Sequence, residues 1–97
     1  MHNIRYTKLA ENDLAELFQI IYQDKPNIAI DFLDKLDTFI TLLEDNPYMG
    51  IDCKEKNIHQ DCRVLVYQNY LIFYTFKNDE IVISRILNVH NNYSGTV

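Results

Sequence analysis

Between Cys62 and Val89 the chain carries three runs of β-branched, aliphatic and aromatic residues, separated by gaps of only two and four residues. Connections that short join antiparallel neighbours, because a parallel return needs a crossover of about a dozen residues. The runs CRVLVY (62–67), YLIFYTF (70–76) and IVISRILNV (81–89) therefore predict a three-strand meander, turning at Gln68-Asn69 and again at KNDE. Strict alternation puts Leu71, Phe73 and Thr75 on one face of the middle strand, with Tyr70, Ile72, Tyr74 and Phe76 on the other. On the last strand it groups Ile81, Ile83, Arg85, Leu87 and Val89, opposite Val82, Ser84, Ile86 and Asn88. Both faces are rich in apolar groups. One layer of helices covers one of them and leaves the other to a partner, or as an unusually apolar surface. Arg85 is a lone charge in this setting and needs a partner, such as Asp61 or a helix carboxylate.

The first half of the chain supplies the helices. HNIRYT (2–7) reads as a short strand, and Thr7 is placed to cap a helix starting just after it. Ala10, Leu14, Leu17, Phe18 and Ile21 then recur at helical spacing, with Glu11, Asp13 and Glu16 off that stripe. Asp24-Lys25-Pro26 interrupts the pattern, and Pro26 suits the first turn of a second helix because its missing N–H is not needed there. That helix has the clearest stripe: Ala29, Phe32, Leu33, Leu36, Phe39, Ile40 and Leu43. Asp31 and Lys35 form an outward pair four residues apart, and Asn46-Pro47 ends the helix. Two amphipathic helices with so short a connection predict an antiparallel hairpin. Residues 48–61 have no period and read as a surface loop. The fold class expected is α+β. An antiparallel sheet of the N-terminal strand and the C-terminal meander packs on a two-helix hairpin, in one domain spanning residues 1–97.

Apolar residues make up 47% of the 97, enough for one compact core. No long uncharged apolar run is present, and MHNIRYTKLAEND lacks the apolar centre of a signal peptide, so the expected location is cytoplasmic, with no membrane partner. Cys53, His59 and Cys62, with Asp52 and Asp61 nearby, raise the question of zinc. Without a CxxC knuckle the expectation is two reduced thiols, no metal and no cofactor. The net charge of −5 argues against non-specific nucleic-acid binding. The acidity is local: residues 10–45 hold nine acids and two bases, whereas residues 46–97 hold five of each.

The order strand, helix, helix, long loop and meander resembles the RelE/ParE superfamily of bacterial toxins, the toxin halves of type II toxin–antitoxin systems. The segments that carry the resemblance are Ala10 with Asp13-Leu14, the helix and loop from Ala29 to Gly50 with its Leu43-x3-Pro47-x2-Gly50 pattern, and Arg63 followed by NYLIFYTF and EIVISRILNVHNNY. Together they cover nearly the whole chain, and they lie closer to the ParE branch than to RelE. The resemblance implies a growth-inhibiting toxin, of the plasmid-stabilisation kind, held inactive in a hetero-oligomeric complex with a cognate antitoxin that lies across the helical hairpin and sheet.

The two branches imply two different activities. RelE-like members cleave mRNA in the ribosome, which needs cations around the pentavalent phosphate and a proton donor for the leaving oxygen. Candidates here are Arg63, Arg85, His90 and Tyr93, with Lys54 or Lys56 from the loop. Leu65 and Leu71 stand where the family often has bases, so this set is thin. ParE-like members act on DNA gyrase by binding. That is the leading expectation, with Arg63, Tyr70, Arg85, His90 and Tyr93 as the target- or antitoxin-binding surface. The third reading is an inactive, toxin-derived binding module. Convergence of Arg63, Arg85, His90 and Tyr93 in one cleft would favour the nuclease, and their scatter would count against it.

Overall fold

The computed structural model describes residues 2–56 and 61–90. In chain order these form β1 (Asn3–Tyr6), α1 (Lys8–Asp24), α2 (Pro26–Thr41), β2 (Ile51–Asp52), β3 (Arg63–Tyr67), β4 (Tyr70–Lys77) and β5 (Glu80–Asn88). Short 3-10 turns at Leu42–Glu44 and Cys53–Lys56 complete the elements. The strands make one sheet in the order β1-β5-β4-β3-β2. The helical hairpin and the sheet bury Leu36, Ile40, Leu43, Ile72, Tyr74 and Ile81 between them. The expected α+β architecture is the one observed. No helix is long and apolar enough to cross a membrane among the described residues.

The local signals explain the helix ends. The Thr7 hydroxyl oxygen accepts from the Ala10 N–H at 3.1 Å and donates to the Ser84 carbonyl at 2.9 Å. One side chain thus caps α1 and ties its start to β5. Lys25 alone separates the helices, and Pro26 occupies the first turn of α2. The Asn46 side-chain amide donates to the Leu42 carbonyl at 3.0 Å, closing the far end.

Four details depart from the sequence reading. First, the sheet is mixed: β1 runs parallel to β5, from Asn3 opposite Glu80 to Tyr6 opposite Ile83. The helical hairpin is itself the long crossover that a parallel pair requires, and only the meander is bound to be antiparallel. Second, the loop over 48–61 contains β2, which pairs Ile51 with Val64 and Asp52 with Arg63.

Third, a bulge breaks the alternation on β5. Phe73 pairs with Arg85 but Tyr74 pairs with Ile83, leaving Ser84 as the extra residue, its hydroxyl donating to the Phe73 carbonyl at 3.1 Å. An extra residue moves every later side chain to the opposite face. Ile86 therefore joins Ile81 and Ile83 on the helix side, while Leu87 and Val89 move to the far side. Fourth, the far face is not left bare. Val64, Leu71, Phe73 and Leu87 form a second buried cluster there with Cys53 and Cys62. Those two cysteines are a disulfide, with Cα atoms 5.4 Å apart, and not the free thiols expected. Their sulfurs are consumed by each other, and His59, the third residue of the zinc question, lies outside the described residues.

At the end of β1, Tyr6 is half-buried, and burial, with a smaller contribution from the Asp37 carboxylate, pushes its hydroxyl up to about 12. An unfolded tyrosine ionises near pH 10. Between these values the folded chain keeps a proton that the unfolded chain loses, so this contribution is whole below about pH 10 and gone by about pH 12. Tyr6→Phe is expected to flatten that alkaline loss. Urea midpoints at neutral and strongly alkaline pH for the two proteins check it, and parallel losses in both would exclude Tyr6 as the source.

Candidate functional site

Arg85 sits at the β5 bulge, beside the unpaired Ser84. Its Nε donates to Asp13 Oδ2 at 2.9 Å and its Nη2 to Asp13 Oδ1 at 3.0 Å, a two-point pairing of guanidinium and carboxylate. Asp13 Oδ2 also accepts the Ile86 N–H at 2.9 Å. The side chains are only 20% and 12% exposed, so the pair is largely shielded. The hydrogen bond to Asp13 holds the Arg85 guanidinium above its ordinary value. Asp13 is the helix carboxylate that a lone strand arginine needed. It lies on the inner side of α1, not off the stripe. Asp61 instead lies 3.9 Å from Lys77.

A cleft of about 550 Å³ opens beside this pair, lined by Glu16, Tyr70, Arg85, Asn88 and His90 among others. The Tyr70 ring meets Phe32 edge-on at 5.4 Å. The His90 main-chain N–H donates to Asn88 Oδ1 at 2.9 Å. Three of the five predicted site residues, Tyr70, Arg85 and His90, therefore share one cleft. Its one arginine is engaged by Asp13, and Glu16 adds a further acid. This is a poor setting for a phosphate, which calls for unengaged cations.

Arg63 is elsewhere. It lies on β3, on the opposite side of β4 from β5, in a separate cleft of about 140 Å³ with Tyr48, Asp52 and Asp61. Its Nε donates to the Gly50 carbonyl at 3.0 Å and its Nη2 to the Tyr48 carbonyl at 3.4 Å, while the guanidinium lies 5.3 Å from the Tyr48 ring centre. Tyr74 completes the arrangement. Its hydroxyl donates to the Pro47 carbonyl at 2.8 Å and accepts from the Gly50 N–H at 2.9 Å. Burial raises the Tyr74 hydroxyl above its ordinary value, and the contacts to Gly50 and Arg63 oppose this. A Cβ on Gly50 would lie 2.7 Å from the Tyr74 ring and 2.9 Å from the Val64 carbonyl. The Pro47-x2-Gly50 spacing thus has a physical reason: a loop folded over a tyrosine hydroxyl, with no room for a side chain at its last position. Lys54 is on the exposed 3-10 turn after β2, its N–H donating to Asp52 Oδ1 at 3.0 Å. Tyr93 lies outside the described residues.

The family model described as the ParE toxin of the type II toxin–antitoxin system parDE matches residues 4–93. The chain belongs to the ParE toxin family. A solved structure described as a chromosomal ParDE toxin–antitoxin system from P. aeruginosa is similar in fold, with a TM-score of 0.73 over 91% of this chain and 96% of that one. Identity to it is 18%, so the likeness extends to the fold alone. No curated protein matches the chain. Within the ParE fold as this chain builds it, Asp13, Tyr48 and Tyr74 are the contributors that the sequence reading does not assign. Asp13 carries a signal: it stands three residues after Ala10 and beside Leu14, at the margin of the apolar stripe, where a carboxylate reaches inward. Tyr74 carries none beyond its alternation, because its partners come from a loop without a period.

Proposed function

We propose that this ParE-family chain is a toxin neutralised by a cognate antitoxin and that, when free, it inhibits growth by binding DNA gyrase. The partner follows from the family and from the similar structure, which is described as a ParDE system. The observation that carries the choice of binding over hydrolysis is the engagement of the cations. Arg85 is held by Asp13 in one cleft, and Arg63 is held by the carbonyls of Tyr48 and Gly50 in another. RNA cleavage needs several cations converging on one phosphate. A binding surface has no such requirement, and Tyr and Arg are the side chains most often dominant in one. A target such as gyrase sets the site of action in the cytoplasm.

The test is pulse-labelling of bacteria after induction of this chain alone, with thymidine and amino-acid incorporation followed in parallel. Early loss of thymidine incorporation with a DNA-damage response is the expected result. Early loss of amino-acid incorporation would replace the proposal with an mRNA endoribonuclease. Unchanged labelling and growth would leave an inactive, toxin-derived binding module.

A further inference from the structure

We propose that the Cys53–Cys62 bridge is a one-sided thiol-exchange site: an external thiolate reaches it only at the Cys62 sulfur, and a dithiol opens it where a monothiol does not. Neither cysteine takes part in the toxin reading, and the proposal does not rest on it. The two ends of the bridge have different surroundings. Cys53 is 0% exposed and begins the 3-10 turn after β2, inside the far-face cluster with Val64, Leu71, Phe73 and Leu87. Cys62 is 8% exposed and stands just before β3. It belongs to the same cluster but also lines the cleft of about 140 Å³ that holds Arg63 and Lys77. Cys53 does not line that cleft.

Thiol–disulfide exchange proceeds by attack of a thiolate on one sulfur, and access decides which sulfur is attacked. Attack at Cys62 joins the reagent's sulfur to Cys62 Sγ and breaks the bond to Cys53, which leaves as a thiolate. That thiolate forms within an apolar cluster, where an unpaired charge is costly. It also stays close to the sulfur it left. The Cα atoms are 5.4 Å apart, and the Cys53 N–H donates to the Cys62 carbonyl at 2.9 Å. Tethering at this range gives it an effective concentration on the order of millimolar or more. Its return attack on Cys62 Sγ expels the reagent thiolate and restores the bridge. A monothiol adduct is thus an intermediate that reverts. A dithiol carries a second thiolate, which attacks the reagent's own sulfur in the adduct, closes a cyclic disulfide and releases Cys62. The reagent is then oxidised by two electrons and the bridge reduced by two. The protons lost by the reagent's thiols end on the two cysteines through water.

The experiment has two arms, both on the whole chain. In the first, Cys53→Ala leaves only the Cys62 thiol and Cys62→Ala only the Cys53 thiol. Each variant is treated with dithiodipyridine, a neutral disulfide, in native buffer and in concentrated urea. The Cys62 thiol is expected to react about tenfold or more faster than the Cys53 thiol in native buffer, and at the same rate in urea. Equal rates in two variants that circular dichroism shows to be folded would overturn the proposal. The second arm needs no substitution and decides the matter if either variant fails to fold. The bridged chain meets glutathione or dithiothreitol at matched thiol concentration, followed by acid quenching, alkylation and peptide mass mapping. Dithiothreitol is expected to yield the doubly alkylated chain. Glutathione is expected to leave the bridge closed, with any trapped adduct on Cys62. Equal opening by the two reagents, or an adduct on Cys53, would overturn the proposal.

Discussion

Replacing Asp13 with alanine is expected to cost the fold about 2–3 kcal/mol, a fall in melting temperature on the order of 10 °C for a chain of this size. The substitution has three consequences at one point. It removes both acceptors of the Arg85 guanidinium, leaves a charge that is only 20% exposed without its counter-ion, and strips the Ile86 N–H of its acceptor. Breaking a fully buried pair costs about 3–5 kcal/mol, and the value here is lower because the cleft beside Arg85 admits water to one side. Asp13→Asn keeps an oxygen for the Ile86 N–H and loses the charge, so it should cost less than alanine. Arg85→Met removes the stranded cation, and in that background Asp13→Ala should cost clearly less than alone. Urea unfolding of the four proteins gives the cycle. If Asp13→Ala costs the same with and without Arg85, the pair does not act as a unit, and α1 is held to β5 by packing and by backbone and Thr7 hydrogen bonds rather than by the ion pair. The pH sense is one-sided for the arginine. Its raised value means its share of the stability is intact below the ordinary arginine range and is lost only as pH climbs beyond it.

The same pair marks how much of the chain is legible without its structure. The helices and strands are readable because each has a short-range cause: Thr7 as cap, Pro26 in a first turn, and gaps of two and four residues that admit only hairpins. Asn78 and Asp79 both adopt left-handed conformations at φ 53° and 61°, a turn that side chains of this type tolerate and that the right-handed twist of a hairpin favours. The Ser84 bulge has no such sign. A serine in a strand reads as one more alternating residue, and only the meeting of β4, β5 and the start of α1 shows that an extra residue is accommodated there. Because the bulge re-aims everything after it, the side that alternation assigns to Ile86, Leu87 and Val89 fails with it.

At the candidate site, residue types are readable and relationships are not. Tyr70, Arg85 and His90 come from one stretch of sequence and do share a cleft. Arg63 qualifies as a candidate because it is basic and on a strand. In the fold it holds the 48–50 loop through carbonyl oxygens, a role that depends on a segment without periodicity. The disulfide escapes a sequence reading for a related reason: two cysteines nine residues apart specify a bridge only when both ends of the intervening segment are known to lie at the same sheet edge.

Opening the Cys53–Cys62 bridge is expected to lower stability by about 2–3 kcal/mol, the loop-closure entropy of a ring of roughly ten residues. The two cysteines would otherwise lose little. Both are buried, at 0% and 8% exposure, and a reduced cysteine packs as a small apolar residue. The effect should therefore appear mainly through the freedom of the unfolded chain. Next to the bridge, β2 contributes two residues to the sheet, and the Cys53 N–H donates to the Cys62 carbonyl at 2.9 Å. The preceding loop is held separately, by Tyr74 and Arg63 on Pro47, Tyr48 and Gly50, so the loss should stop there. Thermal unfolding with and without dithiothreitol is expected to differ by roughly 10 °C, and Cys53→Ser/Cys62→Ser to melt at or below the reduced value in both conditions. Hydrogen exchange should speed first at Cys53 while amides of β4 and β5 stay protected. Identical melting with and without reductant would mean that the bridge contributes nothing to stability. If the chain acts in the cytoplasm, as proposed, thiols there are kept reduced and the less stable form sets the working stability. The proposed antitoxin would then matter to folding as well as to silencing, because a partner bound to the native chain restores by mass action what the open bridge removes.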